Sequence, residues 1–333
     1  METGTGTLAR KVAQGDRRAL AQAITLIESG RPDHRARAED LLARLAPVAA
    51  GRQVLRLGLS GAPGVGKSSL VEALGLHLLG QGLRVAVLAV DPSSQRSGGS
   101  LLGDKTRMER LSRAPGAFVR PSPAGAQPGG VARRSREALI LCEAAGFDVV
   151  LLETVGVGQS ETGAADMVDV FALLIAPAGG DELQGVKRGI MERADLTLVT
   201  KADGELLAPA RTTRGDYAAA LRLLRPRAED PPGYPLALAV SAREGTGIAA
   251  AWERIAALAA WRRDNGIAAG MREDQARAAF RAEVTAAFLA RLAADPALAE
   301  RMAALEAEVA AGRLLPGAAA ARLVAAVMTG VGA

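Results

Sequence analysis

Residues 61–68 form a glycine-rich turn that ends in a lysine and a serine. Gly61, Gly66, Lys67 and Ser68 have the spacing G-x-x-x-x-G-K-S, which is the pattern of a phosphate-binding loop. Glycines let successive backbone N–H groups turn toward phosphate oxygens, and the helix that follows adds its positive N-terminal end. We therefore expect Lys67 to face the β- and γ-phosphates of a nucleotide and the Ser68 hydroxyl to bind Mg²⁺.

Acidic residues follow two of the other apolar runs. Asp91 comes directly after residues 84–90, and Glu153 ends the run 148–153. A carboxylate at either position can hold Mg²⁺ or one of its water ligands. The sequence leaves Glu153 and Gln159 as alternative residues for orienting an attacking water, and the Gly156 N–H is a candidate donor to the γ-phosphate.

The segment Thr200-Lys201-Ala202-Asp203 resembles the guanine-reading pattern N-K-x-D, with threonine in place of asparagine. A carboxylate at position 203 can accept hydrogen bonds from guanine N1–H and the 2-amino group, and the lysine stem can lie over the base. Because threonine lacks the amide of asparagine, we expect a weaker link between the base and the phosphate loop. Ser241-Ala242 follows the next apolar run, where a backbone N–H would meet the guanine O6.

Short apolar runs surround these residues and alternate with helical patterns. Uninterrupted apolar runs are typical of strands covered on both faces, so they predict an α/β fold with a mostly parallel sheet flanked by helices. Ligands of such sheets bind at the carboxyl ends of the strands. The predicted strands are 54–59, 84–90, 117–120, 148–153, 169–175, 195–200 and 236–240.

The remaining segments have helical periodicity. We therefore divide the chain into an N-terminal helical extension (1–50), a nucleotide-binding domain (51–262) and a C-terminal helical segment (263–333). The last segment is too small for a core of its own, so we expect it to pack on the sheet domain or pair with another subunit.

Composition narrows the range of partners. The 333 residues carry a net charge of +5, but basic and acidic residues are interspersed and aromatic residues make up only 3%. We expect no nucleic-acid binding, and we interpret Arg133-Arg134 and Arg262-Arg263 as solvated faces or as contacts to phosphates or acidic partners. The single cysteine, Cys142, is expected to be a buried apolar residue. Since no uncharged run approaches about 20 residues, we expect a cytoplasmic protein without membrane contacts.

Several long segments together resemble the MeaB/ArgK family of P-loop GTPases. They cover the nucleotide-binding domain, whereas the similarity is thinner in the N-terminal helices and weak past about residue 262. The segments are GAPGVGKSSL (61–70), DPSS (91–94), SGGSLLGDKTRM (97–108), RPSP (120–123), GGVARRSREA (129–138), ETVGVGQSE (153–161), GGDELQGVKRGIMERADL (179–196), TKAD (200–203) and SA (241–242).

The resemblance implies a SIMIBI-type G domain that binds GTP or GDP with Mg²⁺ and hydrolyses GTP. It also implies a homodimer formed through C-terminal helices and a switch at 179–187 that contacts the partner. The implied partner is an adenosylcobalamin-dependent acyl-CoA mutase, methylmalonyl-CoA mutase or a relative, for which the GTPase gates cofactor delivery and protects the enzyme. The implied phosphate loop is Gly61, Ala62, Pro63, Gly64, Val65, Gly66, Lys67, Ser68 and Ser69; the magnesium-side residues are Ser68, Asp91, Asp104 and Glu153; and the base pocket is Thr200, Lys201, Asp203, Ser241, Ala242 and Arg243.

Two other functions are compatible with a phosphate loop. A metallochaperone GTPase would need soft ligands in a cluster, whereas His34, His77 and Cys142 are far apart in the sequence. A phosphotransferase would pass the γ-phosphate to a small molecule or a protein. No segment indicates an additional acceptor pocket, and a phosphorylated acceptor would identify this activity.

Overall fold

The computed structural model describes residues 4–91, 108–123, 130–154, 163–177 and 188–330. Within these residues the chain forms a seven-stranded parallel sheet of order β3-β2-β4-β1-β5-β6-β7. The sheet confirms the predicted α/β class, and each predicted strand has an observed counterpart. The strands are β1 (Leu55–Gly61), β2 (Val85–Asp91), β3 (Ala117–Pro123), β4 (Val149–Thr154), β5 (Val170–Ile175), β6 (Leu196–Val199) and β7 (Leu236–Ala239).

Helices cover both faces of the sheet. The described helices are α1 (Gly4–Ala13), α2 (Arg17–Glu28), α3 (Pro32–Ala50), α4 (Lys67–Gly80), α5 (Glu109–Arg113), α6 (Gly130–Ala144), α7 (Arg188–Met191), α8 (Leu207–Arg222), α9 (Ile248–Asp264), α10 (Ile267–Ala294), α11 (Pro296–Ala310) and α12 (Pro316–Gly330). None of these helices combines the length and the apolar character needed to cross a bilayer.

The apolar residues of β4 follow one another without interruption because both faces of this strand are covered by helices. Val150 and Leu152 belong to the core under α1–α3 and α6, whereas Val149 and Leu151 belong to the core under α4 and α9. All four side chains are at most 2% exposed. A strand with both faces buried needs apolar residues at every position, since neighbouring side chains point to opposite faces.

The N-terminal helices share the hydrophobic core of the sheet. Leu20, Ile24 and Leu41 are buried in the same cluster as Leu139 of α6. The start of α2 is fixed by Asp16, whose carboxylate accepts hydrogen bonds from the backbone N–H groups of Arg18 and Ala19, a typical N-cap.

The chain divides into two compact units, residues 1–275 and 276–333, and the boundary falls within α10. The first unit contains the helices before β1 as well as the sheet. The second unit contains the end of α10 together with α11 and α12. The three-part division at residues 50 and 262 stays a prediction.

Cys142 is fully buried in the core beside α1–α3, as the sequence predicts. Burial raises the pKa of its thiol far above the ordinary value, with a smaller contribution from the neighbouring Glu143 carboxylate. The thiol therefore acts as a small apolar side chain.

Three aspartates organise the edge at which the strands begin, which we call the amino edge. Asp148, Asp169 and Asp195 each directly precede a strand. Each carboxylate accepts a hydrogen bond from a backbone N–H near the start of the neighbouring strand: Asp148 from Arg84 (2.7 Å), Asp169 from Arg56 (2.8 Å) and Asp195 from Phe171 (2.8 Å). These bonds pair backbone donors that the sheet ladders would otherwise leave to solvent.

Arginines from the helices after β7 neutralise two of these aspartates. Arg272 of α10 contacts both carboxylate oxygens of Asp169, at 2.8 and 2.7 Å. Arg262 of α9 contacts both oxygens of Asp195, at 3.2 and 2.7 Å, and pairs with Asp230. The pairs tie the C-terminal helices of the first unit to the sheet.

The structure corrects one expectation for the pair Arg262-Arg263. Arg263 is exposed, as predicted, but Arg262 is only 2% exposed and its acidic partners are residues of this chain. Burial lowers the pKa of Arg262, but the Asp195 and Asp230 carboxylates outweigh burial and leave that pKa above its usual value.

We predict that Arg262→Ala lowers the free energy of unfolding by about 3 kcal/mol, because it leaves two carboxylates buried beside one remaining arginine, Arg227. Urea unfolding followed by circular dichroism measures the loss. The neighbouring change Arg263→Ala is the control and should cost less than about 0.5 kcal/mol, since its side chain is exposed. Equal losses of unfolding free energy in the two variants would contradict the conclusion that Arg262 forms a buried ion pair and Arg263 does not.

Candidate functional site: a phosphate loop and a base loop

The phosphate loop joins β1 to α4 in the predicted order of strand, loop and helix. Gly64 and Gly66 have positive φ angles of 79° and 97°, which side-chain-bearing residues rarely adopt. At Gly61 a Cβ atom would lie 2.4 Å from the carbonyl oxygen of Leu174 on β5. Glycine is therefore required at these positions, by backbone conformation at two of them and by close approach at the third.

Lys67 is the first residue of α4 and is buried. Its ammonium group donates hydrogen bonds to the carbonyl oxygens of Gly61 (2.7 Å) and Ala62 (2.9 Å). Lys67, at the end of the loop, therefore bonds the two residues at the start of the loop. Its positive charge is held within the loop and away from solvent.

Glu153 meets Ser68 at the carboxyl ends of β4 and β1. The two strands are neighbours, with Glu153 in register with Leu59. The Ser68 hydroxyl donates to Oε1 of Glu153 at 3.0 Å, and Glu153 is only 2% exposed. A hydroxyl and a carboxylate at this distance form an oxygen donor set, which is the ligand type that Mg²⁺ requires. The residues present therefore fit a magnesium ion.

Thr200 links the base loop to the phosphate loop. Its hydroxyl oxygen lies 2.6 Å from the carbonyl oxygen of Val65 and 3.1 Å from that of Ile175, and the side chain is buried. The shorter distance makes Val65 the better acceptor for the single hydroxyl hydrogen. The loss of the asparagine amide therefore does not remove the connection, since the hydroxyl itself reaches the phosphate loop.

The neighbouring residues complete a base loop of defined shape. Lys201 has a positive φ of 52°, and its Cε would lie 3.9 Å from a Cβ at Gly66, so its stem runs beside the phosphate loop. The Ser241 hydroxyl donates to the Asp203 carboxylate at 2.5 Å and accepts from the Glu244 N–H at 3.0 Å. Ala242 is partly exposed and Arg243 is exposed in the turn that follows Ser241.

The structure thus brings together the described residues predicted for the site. The phosphate loop, Glu153, the Thr200–Asp203 segment and the Ser241–Arg243 segment lie at the carboxyl ends of β1, β4, β6 and β7. Other predicted residues lie outside the described part of the chain: the Asp91 side chain, Asp104, Gly156, Gln159 and the proposed switch at 179–187.

Histidine and cysteine side chains form no metal centre among the described residues, where no group of three or more His, Cys, Asp or Glu side chains has metal-binding geometry. His34 lies 2.8 Å from the Ser29 hydroxyl, and His77 lies 3.0 Å from the Gln81 amide. Both contacts are local bonds within or beside a helix.

Two features of the site were missed by sequence reasoning. The first is the contact of the Lys67 ammonium with loop carbonyls, and the second is the Thr200–Val65 bond. The spacing of the motifs signalled that these residues would be close, but the acceptor of each hydrogen bond depends on the folded loop.

We predict that Thr200→Val weakens nucleotide binding about fivefold, because it removes a buried donor to the phosphate loop. Isothermal titration calorimetry with GDP measures the affinity. The matched control is Thr197→Val on β6, the strand that leads to Thr200; its buried hydroxyl has no hydrogen-bond partner among the described residues. That substitution should leave the affinity unchanged, and an equal loss in both variants would show that Thr200 acts only through strand stability.

Comparison with known proteins assigns the chain to one family. The family described as methylmalonyl-CoA mutase-associated GTPase MeaB matches residues 20–297. GTPase ArgK of Escherichia coli is 50% identical over 74% of this chain and 73% of its own length. The mitochondrial methylmalonic aciduria type A homolog of Mus musculus is 45% identical over 93% of this chain and 76% of its own.

A solved structure has the same fold over nearly the whole length of this chain. The crystal structure of a LAO/AO transport system kinase superposes with a TM-score of 0.77 and 35% identity, covering 98% of this chain and 99% of the other. The sequence matches and the shared fold agree, and the chain therefore belongs to the MeaB family of P-loop GTPases.

Proposed function

We propose that this GTPase is a nucleotide-driven chaperone of an adenosylcobalamin-dependent methylmalonyl-CoA mutase or a related acyl-CoA mutase, gating cofactor delivery and protecting the enzyme. The observation that carries the proposal is the joined pair of nucleotide loops, held by the Thr200–Val65 bond, in a chain whose family is described as mutase-associated. GTPases switch through segments that order around the γ-phosphate and its Mg²⁺, and the phosphate loop with Glu153 is the described part of the chain that would meet these groups.

In the proposed site the backbone N–H groups of residues 61–69 and the Lys67 ammonium hold the phosphates. Ser68 and Glu153, together with Asp91 and Asp104, would hold Mg²⁺ directly or through its water ligands. Bound Mg²⁺ would neutralise charge on the phosphate oxygens. Glu153 or Gln159 orients the attacking water, and the Gly156 N–H contacts the γ-phosphate.

The base pocket selects guanine through Asp203. Its carboxylate accepts from the Ser241 hydroxyl at 2.5 Å, which fixes its orientation and leaves acceptor capacity for the base, since an ionised carboxylate has about four lone-pair sites. Thr200, Lys201, Ala242 and Arg243 are the other residues that we propose for this pocket.

We predict that Asp203→Asn lowers the preference for GTP over XTP by about tenfold or more, because an amide can donate to the xanthine 2-oxygen where a carboxylate cannot. Competition binding of the two nucleotides measures the preference. Glu205→Gln, two residues later and exposed, is the charge-matched control. Unchanged selectivity in Asp203→Asn would place the base pocket elsewhere.

We also propose a homodimer formed through the C-terminal helices. Phe280, Val284 and Phe288 of α10 are 70%, 51% and 44% exposed, and their spacing of four residues places them on one helix face. An apolar stripe of this size is expensive to leave in water, and a second copy of the same helix would cover it.

We predict that the purified chain releases phosphate from GTP and not from ATP, and that the mutase accelerates this release. A partner that supplies or orders a stabilising charge raises GTPase rates by about 10³–10⁵ in known cases. The measurement is steady-state phosphate release with and without purified methylmalonyl-CoA mutase.

The control for this assay is Lys67→Ala, which removes the ammonium that clasps the loop and should abolish GTP turnover. Turnover that ignores the mutase would contradict the proposed partner and leave the GTPase intact. Transfer of the labelled γ-phosphate to an acceptor, in place of free phosphate, would instead support a kinase activity of the kind named for the LAO/AO structure.

A further inference from the structure

A cleft of about 450 Å³ lies at the amino edge of the sheet, at the opposite end of the strands from the phosphate loop. Its floor includes Leu55, the first residue of β1, whereas Gly61 at the other end of β1 begins the phosphate loop. Seven residues of strand separate the two places by roughly 20 Å. The cleft is therefore separate from the nucleotide site.

Small side chains on two helices create the space. Ala256, Ala259 and Ala260 on α9 and Ala268 on α10 line the cleft, and their methyl groups leave room that larger residues would fill. Trp252 and Leu83 supply further apolar wall. Folded proteins contain few unfilled spaces of this size, and the volume lies within the range of small-molecule sites, about 300–1,000 Å³.

The charges around the cleft are predominantly positive. Four arginines and two aspartates line it: Arg52, Arg262, Arg263, Arg272, Asp148 and Asp169. Arg262 pairs with the buried Asp195 carboxylate, and Arg272 pairs with the partly buried Asp169 carboxylate. Arg52 and Arg263 are exposed; Arg263 has only the adjacent, solvent-exposed Asp264 as an ionic partner, and no carboxylate among the described residues pairs with Arg52.

We propose that this cleft binds a small amphipathic carboxylate, with its apolar chain against the alanines and Trp252 and its carboxylate at Arg52 and Arg263. The guanidinium group matches a carboxylate with two parallel hydrogen bonds. The apolar wall supplies affinity through buried area. A neutral molecule of the same shape offers these two exposed arginines no negative charge, so the site favours the anion.

The fluorescence of Trp252, which lines the cleft, can report binding there. Its indole N–H donates to the Gln81 side chain at 3.0 Å while the ring lines the cleft. The chain contains two tryptophans, so Trp261→Phe leaves Trp252 as the only indole. We would titrate this full-length variant with octanoate, below its micelle concentration, and follow Trp252 fluorescence.

The expected result is a saturable change with one octanoate per chain, and binding of 1-octanol weaker by about tenfold or more. Replacing both exposed arginines, Arg52→Glu with Arg263→Glu, should weaken octanoate binding by a similar factor. The matched control is Arg214→Glu with Arg222→Glu on α8, two exposed arginines away from the cleft, which should leave binding unchanged.

A second variant tests the apolar wall. Ala259→Phe fills the cleft and should abolish the fluorescence response, and retained GTP hydrolysis shows that the variant is folded. Equal binding of octanol and octanoate, an unsaturable response, or unchanged binding after charge reversal at Arg52 and Arg263 would each overturn the proposal. Binding of inorganic phosphate as tight as that of octanoate would overturn the role of the apolar wall.

Discussion

The nucleotide site depends on the two hydrogen-bond ladders that flank β1. This strand lies between β4 and β5 and pairs with both over five residues. The ladder to β4 places Glu153 beside Ser68, and the ladder to β5 brings the Leu174 carbonyl so close to Gly61 that only glycine fits. A shift of register by one residue would turn the Glu153 side chain to the opposite face of the sheet. Backbone pairing of β1 with its two neighbours therefore positions the loop, whose own glycines and Lys67 then set its shape.

The two edges of the sheet are built differently. At the amino edge, aspartates before three strands accept backbone N–H bonds, and the buried Arg262 and the partly buried Arg272 pair with two of them. Buried ion pairs add little net stability compared with apolar packing, but breaking one is costly because it leaves a charge in a medium of low dielectric constant. This arrangement favours one defined position for α9 and the start of α10. At the carboxyl edge the strands lead into the loops that carry the nucleotide chemistry.

Much of the fold could be predicted because strands buried on both faces have continuous apolar runs and because the phosphate loop has fixed spacing. The positions of Lys67, Ser68 and Glu153 at one edge followed from the same argument. The burial of Arg262 could not be predicted, because the sequence does not distinguish a buried arginine from an exposed one. Only the fold shows that Asp195 and Asp230 lie beside it. The aspartates at 148, 169 and 195 did leave a signal, because each stands directly before an apolar run.

The phosphate loop and the base loop are joined by a direct hydrogen bond and by a pair of packed helices. At the carboxyl edge the Thr200 hydroxyl bonds the Val65 carbonyl. Helix α4 begins at the phosphate loop and α9 begins shortly after the Ser241 turn, and the two helices pack against each other. On the far side Trp252 of α9 donates to Gln81, just past the end of α4. Because packed helices move as rigid units and tolerate little internal distortion, a displacement of the phosphate loop along α4 is shared by the helix that supports the base loop. Helices α4 and α9 therefore form one packed support beneath the phosphate loop and the Ser241 turn.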